Sequence, residues 1–295
     1  MTPPADPDPT ETGLAETGLA DDAPLAPEEA FATWAARVRA DREQVHRLRE
    51  VEDPSDFYAP VAARFRMDPR RTGDATLDEL RLLARPTETW LDIGAGGGRF
   101  ALPIALLTRE VIAVEPSRGM IDVLREGMRE NAIGNIQVIE GHWPVADPPT
   151  VDVSLMAHVG YDIEAIGSFL DAMEAASRRL CVAVMGQTAM TTVATLYWQP
   201  IYGEPRAMLP ALPELVALLL ARGRSPTVRL VERIAPTFDS FEALVAAARR
   251  QLWLKPGSER DQKLEALLRA AAREVNGRWQ LPEEEARIGV VTWTA

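Results

Sequence analysis

The sequence has few of the residues that covalent and metal chemistry require. Cysteine occurs once, at position 181, and histidine only at positions 46, 142 and 158. A single cysteine excludes an internal disulfide framework and fits a reducing compartment. The histidines lack helical His-x-x-x-His spacing, and one cysteine cannot complete a zinc set. We therefore expect a cytoplasmic protein without a metal site.

Basic charge and long apolar runs are also missing. The 295 residues carry a formal net charge of −12, and lysine occurs only at positions 255 and 263. A nucleic-acid-binding protein needs a basic face, and none is evident here. No apolar run is long enough to cross a bilayer. Composition therefore favours a soluble protein with a small-molecule substrate over a nucleic-acid or membrane partner, and it leaves a homodimer open.

What the sequence does contain is a glycine-rich turn between a strand pattern and a helix pattern. The apolar run 90–93 has the length of a buried strand, and residues 100–107 are apolar at helical spacing. The turn between them reads DIGAGGGRF over residues 92–100. Such a turn lets the backbone approach a ligand closely, at a helix start that carries partial positive charge.

A second strand pattern, residues 111–115, ends in the carboxylate of Glu115 about 20 residues beyond the turn. An acid at this place can accept hydrogen bonds from the ribose hydroxyls of a nucleoside. A dinucleotide fingerprint G-x-G-x-x-G is a poor fit, because Arg99 occupies the third glycine position. An oxidoreductase with a nicotinamide cofactor is therefore only an alternative.

The spacing acidic-x-Gly-x-Gly-x-Gly fits instead, with Asp92, Gly94, Gly96 and Gly98. It resembles motif I of the class I S-adenosylmethionine-dependent methyltransferases. The resemblance implies S-adenosylmethionine as cofactor, with the glycine loop beneath its methionine part and Glu115 on its ribose. It also implies an α/β fold: a seven-stranded, mostly parallel, Rossmann-like sheet in the order 3-2-1-4-5-7-6, with helices on both faces.

On this basis the chain divides into five segments. Residues 1–26 are predicted to be a disordered acidic tail, because they offer few large apolar groups. Residues 27–74 form an N-terminal helical extension that covers the cofactor, with a helix starting near Pro27. The methyltransferase core spans 75–237 and ends with a last strand in 286–295. Residues 238–285 read as an all-helical insertion, either a lid or an inert packing addition.

The resemblance extends to individual site residues. His142 stands where the family commonly has an acid that touches adenine, and Trp143 beside it would stack on the ring. Tyr58 and Arg66 are candidates for closing over the cofactor, with Arg66 pairing with its carboxylate. The complete predicted cofactor set is Tyr58, Arg66, Asp92, Gly94, Ala95, Gly96, Gly98, Glu115, Pro116, His142, Trp143 and Ala157.

His158 and Tyr161 follow the fourth predicted strand, at the sheet edge where ligands of open α/β folds bind. We expect them to face the acceptor, with His158 as a general base or as a loop-holding group. The predicted function is methyl transfer from S-adenosylmethionine to an oxygen, nitrogen or carbon atom of an unidentified acceptor. A non-catalytic binding protein that keeps the fold is the second alternative.

Overall fold

In a computed structural model, the chain is described over residues 26–52, 56–189, 192–282 and 286–295. Nearly all of the predicted tail lies outside these residues. A large sheet organises the described chain. Its strands are β1 (Thr89–Ile93), β2 (Glu110–Glu115), β3 (Ile136–Glu140), β4 (Val151–Ala157), β5 (Ser177–Gly186), β6 (Thr227–Glu232) and β9 (Arg287–Trp293).

The sheet has the order β3-β2-β1-β4-β5-β9-β6, in which β9 is the seventh strand along the chain to join. The pairs from β3 to β5 are parallel, whereas β9 runs antiparallel between β5 and β6. The predicted order and the insertion of the last strand are thus confirmed.

Helices cover both faces of the sheet. They are α1 (Pro27–Leu48), α2 (Ala75–Leu83), α3 (Ala101–Ala105), α4 (Arg118–Glu130), α5 (Ile166–Ala176), α6 (Thr192–Tyr202), α7 (Leu212–Ala221), α8 (Phe241–Gln251) and α9 (Glu259–Ala271), with a 3-10 helix at Ala59–Phe65. One core cluster joins α1, α5 and α7 to the sheet, and another joins α2, α3 and α4 to its opposite face. None of the helices in the described segments has the length and apolarity that a bilayer crossing requires.

Helix α1 begins at Pro27, as predicted, and is built into the core. Trp34 and Val38 are each 1% exposed, and the indole Nε1 of Trp34 donates to the carbonyl of Ile163 at 3.0 Å. Asp41, which interrupts the apolar stripe, is buried against Arg206 with a nitrogen–oxygen distance of 2.6 Å. The break in the sequence pattern is thus a buried ion pair, which keeps the charge compensated.

One prediction about the second half of the chain is wrong. The insertion before β9 is not all-helical, because a hairpin of β7 (Arg273–Val275) and β8 (Arg278–Gln280) follows α8 and α9. Helix α6 precedes this insertion in the chain and packs against it. Trp198 of α6 is fully buried in a third cluster that joins α6 to α8, α9 and the hairpin.

Candidate functional site

The glycine turn is attached to the end of β2. The N–H groups of Gly94 and Ala95 both donate to the carbonyl of Val114, at 2.8 and 3.1 Å. Gly98 has φ +85°, and a Cβ there would lie 2.6 Å from Cδ1 of Leu124, so this position serves close packing of α4. Gly96 has φ +54°, but a Cβ there would meet only Sδ of Met120, at 4.0 Å. The space above Gly96 is therefore open to a ligand.

Glu115 joins the turn to β2 through its side chain. Its Oε2 accepts from the N–H of Gly96 at 2.7 Å, and its Oε1 accepts from the N–H of Ser117 at 2.9 Å. Burial raises the pKa of this carboxyl, against the effect of these two hydrogen bonds. A carboxylate has about four acceptor positions, so two remain for other donors. The side chain of Glu115 is thus held by the N–H groups of Gly96 and Ser117, which lie on either side of the crevice between the ends of β1 and β2. It can still accept hydrogen bonds from a diol.

Asp92 lies beneath the same turn and is 3% exposed. Burial, followed by the nearby charge of Glu115, raises the pKa of Asp92 to about 7, and the N–H of Ala101 at the start of α3 opposes the shift. The carboxyl therefore supports the turn from below and faces a helix N-terminus.

A segment that we call the strap, residues 56–66, runs over the turn. Asp56 accepts from the N–H groups of Tyr58 and Ala59, and both of its carboxylate oxygens accept from Oγ of Ser117 at 2.9 Å. The far end of the strap reaches the turn, since a Cβ at Gly97 would lie 3.2 Å from Cβ of Phe65. Asp56 was not predicted, because nothing in its local sequence relates it to Ser117.

The two predicted strap residues differ in placement. Tyr58 is 44% exposed. Partial desolvation of its hydroxyl, followed by the negative charges of Asp162 and Glu115, raises the pKa of Tyr58. Arg66 instead pairs with Glu126 of α4 at 3.3 Å and with Glu130. Tyr58 therefore lies beside the crevice, whereas the guanidinium of Arg66 already has two carboxylate partners on α4.

The remaining predicted cofactor residues line the ends of β2, β3 and β4. His142 is exposed and close enough to Glu115 to influence its pKa. Trp143 is half-buried, and its Nε1 donates to the carbonyl of Phe169 at 3.2 Å. Pro116 is exposed directly after Glu115, and Ala157 ends β4 half-buried.

The half-buried His158 and the buried Tyr161 form a pair after β4. Nδ1 of His158 lies 3.3 Å from the hydroxyl of Tyr161, which accepts from the N–H of Gly186 at 2.7 Å. His158 has φ +58°, a strained backbone conformation for a residue with a side chain. Burial, and then the charges of Arg99 and Arg233, lower the pKa of His158 to about 4. Burial raises the pKa of Tyr161 to about 12. Both side chains are therefore neutral at neutral pH.

Two arginines near this pair were not predicted as site residues. Nη2 of Arg99 lies 3.6 Å from Asp74, whose carboxylate is also bound by Arg71 at 3.0 Å. Arg233 follows β6, and its N–H donates to the carbonyl of Ala286 at 3.0 Å. Arg99 and Arg233 are 134 positions apart in the sequence, so no local motif links them. Within the described segments, no group of three acidic, histidine or cysteine side chains is placed to hold a metal ion.

The architecture and the turn define a class I methyltransferase domain with a Rossmann-like fold. In agreement, residues 91–180 match the family model described as a methyltransferase domain. The class uses S-adenosylmethionine as its cofactor. The predicted Rossmann-like methyltransferase fold is thereby confirmed, and the match over residues 91–180 agrees with the predicted family.

Two curated relatives match this chain over part of its length. A probable ribosomal RNA small subunit methyltransferase A of Methanosphaera stadtmanae is 32% identical over 82 residues, which are 28% of this chain and 30% of that protein. The 23S rRNA (uracil(1939)-C(5))-methyltransferase RlmD of Xanthomonas campestris is 34% identical over 105 residues, 32% of this chain and 24% of that protein. The chain thus spans less than a third of these relatives.

A solved structure supports the fold. The YcgJ protein of Bacillus subtilis aligns with 74% of this chain and 97% of its own, with a TM-score of 0.51 and 14% identity. At this identity the similarity concerns the fold, and the acceptor must be argued from the site.

Proposed function

We propose that this protein transfers the methyl group of S-adenosylmethionine to a small-molecule acceptor. The observation that carries the proposal is the contact between Gly96 and Glu115, 2.7 Å from nitrogen to oxygen. It joins the open glycine turn to the acid of the neighbouring strand, within the residues that match the methyltransferase domain. Ligands of open α/β sheets bind at this carboxyl edge.

The residues present fit this cofactor. Glu115 would accept hydrogen bonds from the ribose hydroxyls with the acceptor positions that Gly96 and Ser117 leave free. The turn would pass beneath the methionine part. His142, Trp143 and Pro116 would surround the adenosine, and Tyr58 would cover it from the strap. From the predicted set we retain as the proposed binding site Tyr58, Asp92, Gly94, Ala95, Gly96, Glu115, Pro116, His142, Trp143 and Ala157. Gly98 is left out because it serves the packing of α4, and Arg66 because it pairs with Glu126 and Glu130.

The cofactor supplies a methyl group made electrophilic by a sulfonium centre. The chain then has to align an acceptor and keep water away, which accounts for much of the catalysis in such transfers. His158 and Tyr161 are the proposed residues on the acceptor side. With a pKa of about 4, His158 is a weak base, because the best general base has a pKa near the working pH. We therefore assign His158 chiefly to holding the acceptor.

We propose a small molecule as acceptor, because the net charge of −12 offers poor attraction for RNA. The two relatives named after ribosomal RNA share less than a third of their length with this chain. A nicotinamide-dependent oxidoreductase is not favoured, since Arg99 stands at the third glycine position. We also propose a cytoplasmic location, which the single buried Cys181 fits. A homodimer remains a prediction.

Calorimetry with S-adenosylhomocysteine and NAD tests the cofactor assignment. We expect S-adenosylhomocysteine to bind and NAD not to bind. Glu115→Ala should weaken the binding of S-adenosylhomocysteine at least tenfold, because it removes the acceptor for the ribose hydroxyls. Glu110→Ala, at the start of the same strand, is the matched control and should bind as the wild type does. Unchanged affinity in the Glu115 variant would refute the ribose role.

A further inference from the structure

Two arginines, Arg99 and Arg233, act on the acceptor side of the site. Arg99 and Arg71 share the one carboxylate of Asp74, and Arg71 takes the closer contact. Arg99 and Arg233 both lower the pKa of His158, and Arg233 also lowers that of Arg99. The charges of Arg99 and Arg233 thus both act on the half-buried imidazole of His158.

Two buried hydrogen-bond donors in the same place find no acceptor in the described part of the chain. Nε of Arg99 and Nε2 of His158 are buried without a hydrogen-bond partner among the described residues. The N–H of Gly186 can only donate, so the Tyr161 oxygen accepts from it, and the Tyr161 proton is free to point at Nδ1 of His158. That arrangement leaves the ring proton of the neutral imidazole on Nε2. Nε2 is then a donor, and an unmet buried donor is costly.

The sheet brings Arg233 to this edge. Glu232 pairs with Arg287, Ile288 pairs with Gly186, and Gly186 donates to Tyr161. The end of β6 therefore lies along the same edge as the ends of β4 and β5. The charge of Arg233 also acts on Tyr161, since it lowers that pKa against the effect of burial.

We propose that the methyl acceptor carries a carboxylate, which Arg99 and Arg233 bind together with the Nε2–H of His158. This inference rests on the proposed methyltransferase function and adds the chemical class of its substrate. A carboxylate accepts charge-assisted, often bidentate, hydrogen bonds from guanidinium groups. It would supply the acceptor that these buried donors lack and would offset the repulsion between the two arginines.

Binding to the protein saturated with S-adenosylhomocysteine tests the inference. The probes are benzoate, indole-3-acetate and hexanoate, each compared by calorimetry with its primary amide. We expect at least one carboxylate to bind tenfold or more tightly than its amide. Equal binding of acid and amide, or no binding of any carboxylate, would overturn the proposal.

Variants of the two arginines then show which side chain distinguishes the carboxylate from its amide. Arg233→Gln should weaken carboxylate binding at least tenfold and leave the affinity for S-adenosylhomocysteine within twofold. The matched control is Arg229→Gln on β6, whose side chain is 69% exposed and lies 3.5 Å from Glu79, and we expect it to bind the carboxylate as the wild type does. Arg99→Lys should retain more of the preference for the carboxylate over its amide than Arg99→Gln does, because lysine keeps the positive charge. A folding defect would instead weaken binding of the carboxylate and the amide alike.

Two other outcomes have distinct meanings. If Arg233→Gln weakens S-adenosylhomocysteine as much as it weakens the carboxylate, the arginines hold the cofactor and the proposal is overturned. If the wild type fails to bind S-adenosylhomocysteine at all, the first titration shows that the proposed function is wrong, and this inference falls with it.

Discussion

Gly98 shows how one residue in the turn serves the fold rather than a ligand. Its φ is +85°, and an added Cβ would lie 2.6 Å from Leu124 and 2.9 Å from Leu102. Gly98→Ala should therefore combine the strain of a positive φ, about 1–2 kcal/mol, with overpacking of about 1–3 kcal/mol. We expect its free energy of unfolding, measured in urea, to fall by roughly 3 kcal/mol.

The matched control for this substitution is Gly223→Ala. Gly223 has φ +73°, but a Cβ there would meet nothing within 4 Å. The Gly223→Ala variant should lose only about 1 kcal/mol in free energy of unfolding, from the strain of a positive φ. Equal losses for the two variants would show that packing of α4 against the turn contributes nothing.

Asp92 gives a prediction about pH. Its pKa is about 7 in the folded protein, against 3.8 as its reference value. Between these values the folded state holds a proton that the unfolded state releases, so the free energy of unfolding falls as the pH rises from about 4 to 7. The titration of Asp92 alone can change the free energy of unfolding by up to about 4 kcal/mol over this range. Asp92→Asn cannot ionise, so its stability relative to wild type should increase between pH 5 and pH 8.

Urea unfolding of both proteins at pH 5, 6, 7 and 8 measures this difference. The comparison with wild type at each pH removes the contributions of other titrating groups in common. A difference that stays constant over this range would mean that the buried carboxyl titrates normally.

The predictable part of the site is the part that one motif or one strand end supplies. Asp92, the glycines and Glu115 were found from spacing, and the structure brings the turn and Glu115 together at 2.7 Å. Asp56 and Arg233 were missed because they reach the site from distant segments. Only the fold decides that Asp56 meets Ser117 or that the end of β6 lies along the same sheet edge as the end of β4.

At the scale of elements, α1 belongs to the core rather than to a detachable extension. Trp34 is 1% exposed, and its indole binds the carbonyl of Ile163. Trp34→Ala should lower the free energy of unfolding by about 3–5 kcal/mol, as expected for a large buried aromatic. The exposed neighbour Thr33 supplies the control, since Thr33→Ala should change it by less than about 0.5 kcal/mol. An unfolding transition unaffected by the Trp34 change would mean that α1 docks independently of the domain.

The elements that the sequence predicted well are those with a strong local pattern. Strands β1, β2, β4 and β5 are largely apolar and buried, whereas β3 and β6 combine apolar and polar residues. Helix α1 has both a start signal at Pro27 and an apolar stripe. Helix α6 was missed because it contains Pro200 and because Trp198 is buried by the distant α8 and α9. The β7–β8 hairpin has strands of three residues, too short to show alternation.

That hairpin nevertheless carries a local signal. Asn276 and Gly277 have φ of 51° and 74°, and Asn-Gly is the preferred pair for a two-residue hairpin turn. The residues before this dipeptide have the apolar spacing of a helix, which predicts a helical insertion and hides the turn. A turn signal between two short polar runs therefore merits as much weight as the apolar stripe beside it.

At the scale of the whole molecule, net charge is the property that supports the proposed small-molecule acceptor. Acidic residues number 44 against 32 basic ones. Many described arginines are already paired with carboxylates, among them Arg222 with Glu174 and Arg249 with Asp261. The protein therefore offers few cations for phosphate neutralisation, although its domain is shared with proteins named for ribosomal RNA.

We accordingly expect no measurable binding to ribosomal RNA. Filter binding of a 16S and a 23S ribosomal RNA transcript at 50 and 200 mM salt should give dissociation constants weaker than about 10⁻⁴ M, the weak end of non-specific binding. A basic RNA-binding protein in the same buffers is the positive control. Micromolar binding that falls steeply with salt would reveal a phosphate-binding face. It would move the acceptor from small molecules to RNA, because counterion release on that scale requires several lysine or arginine contacts at once.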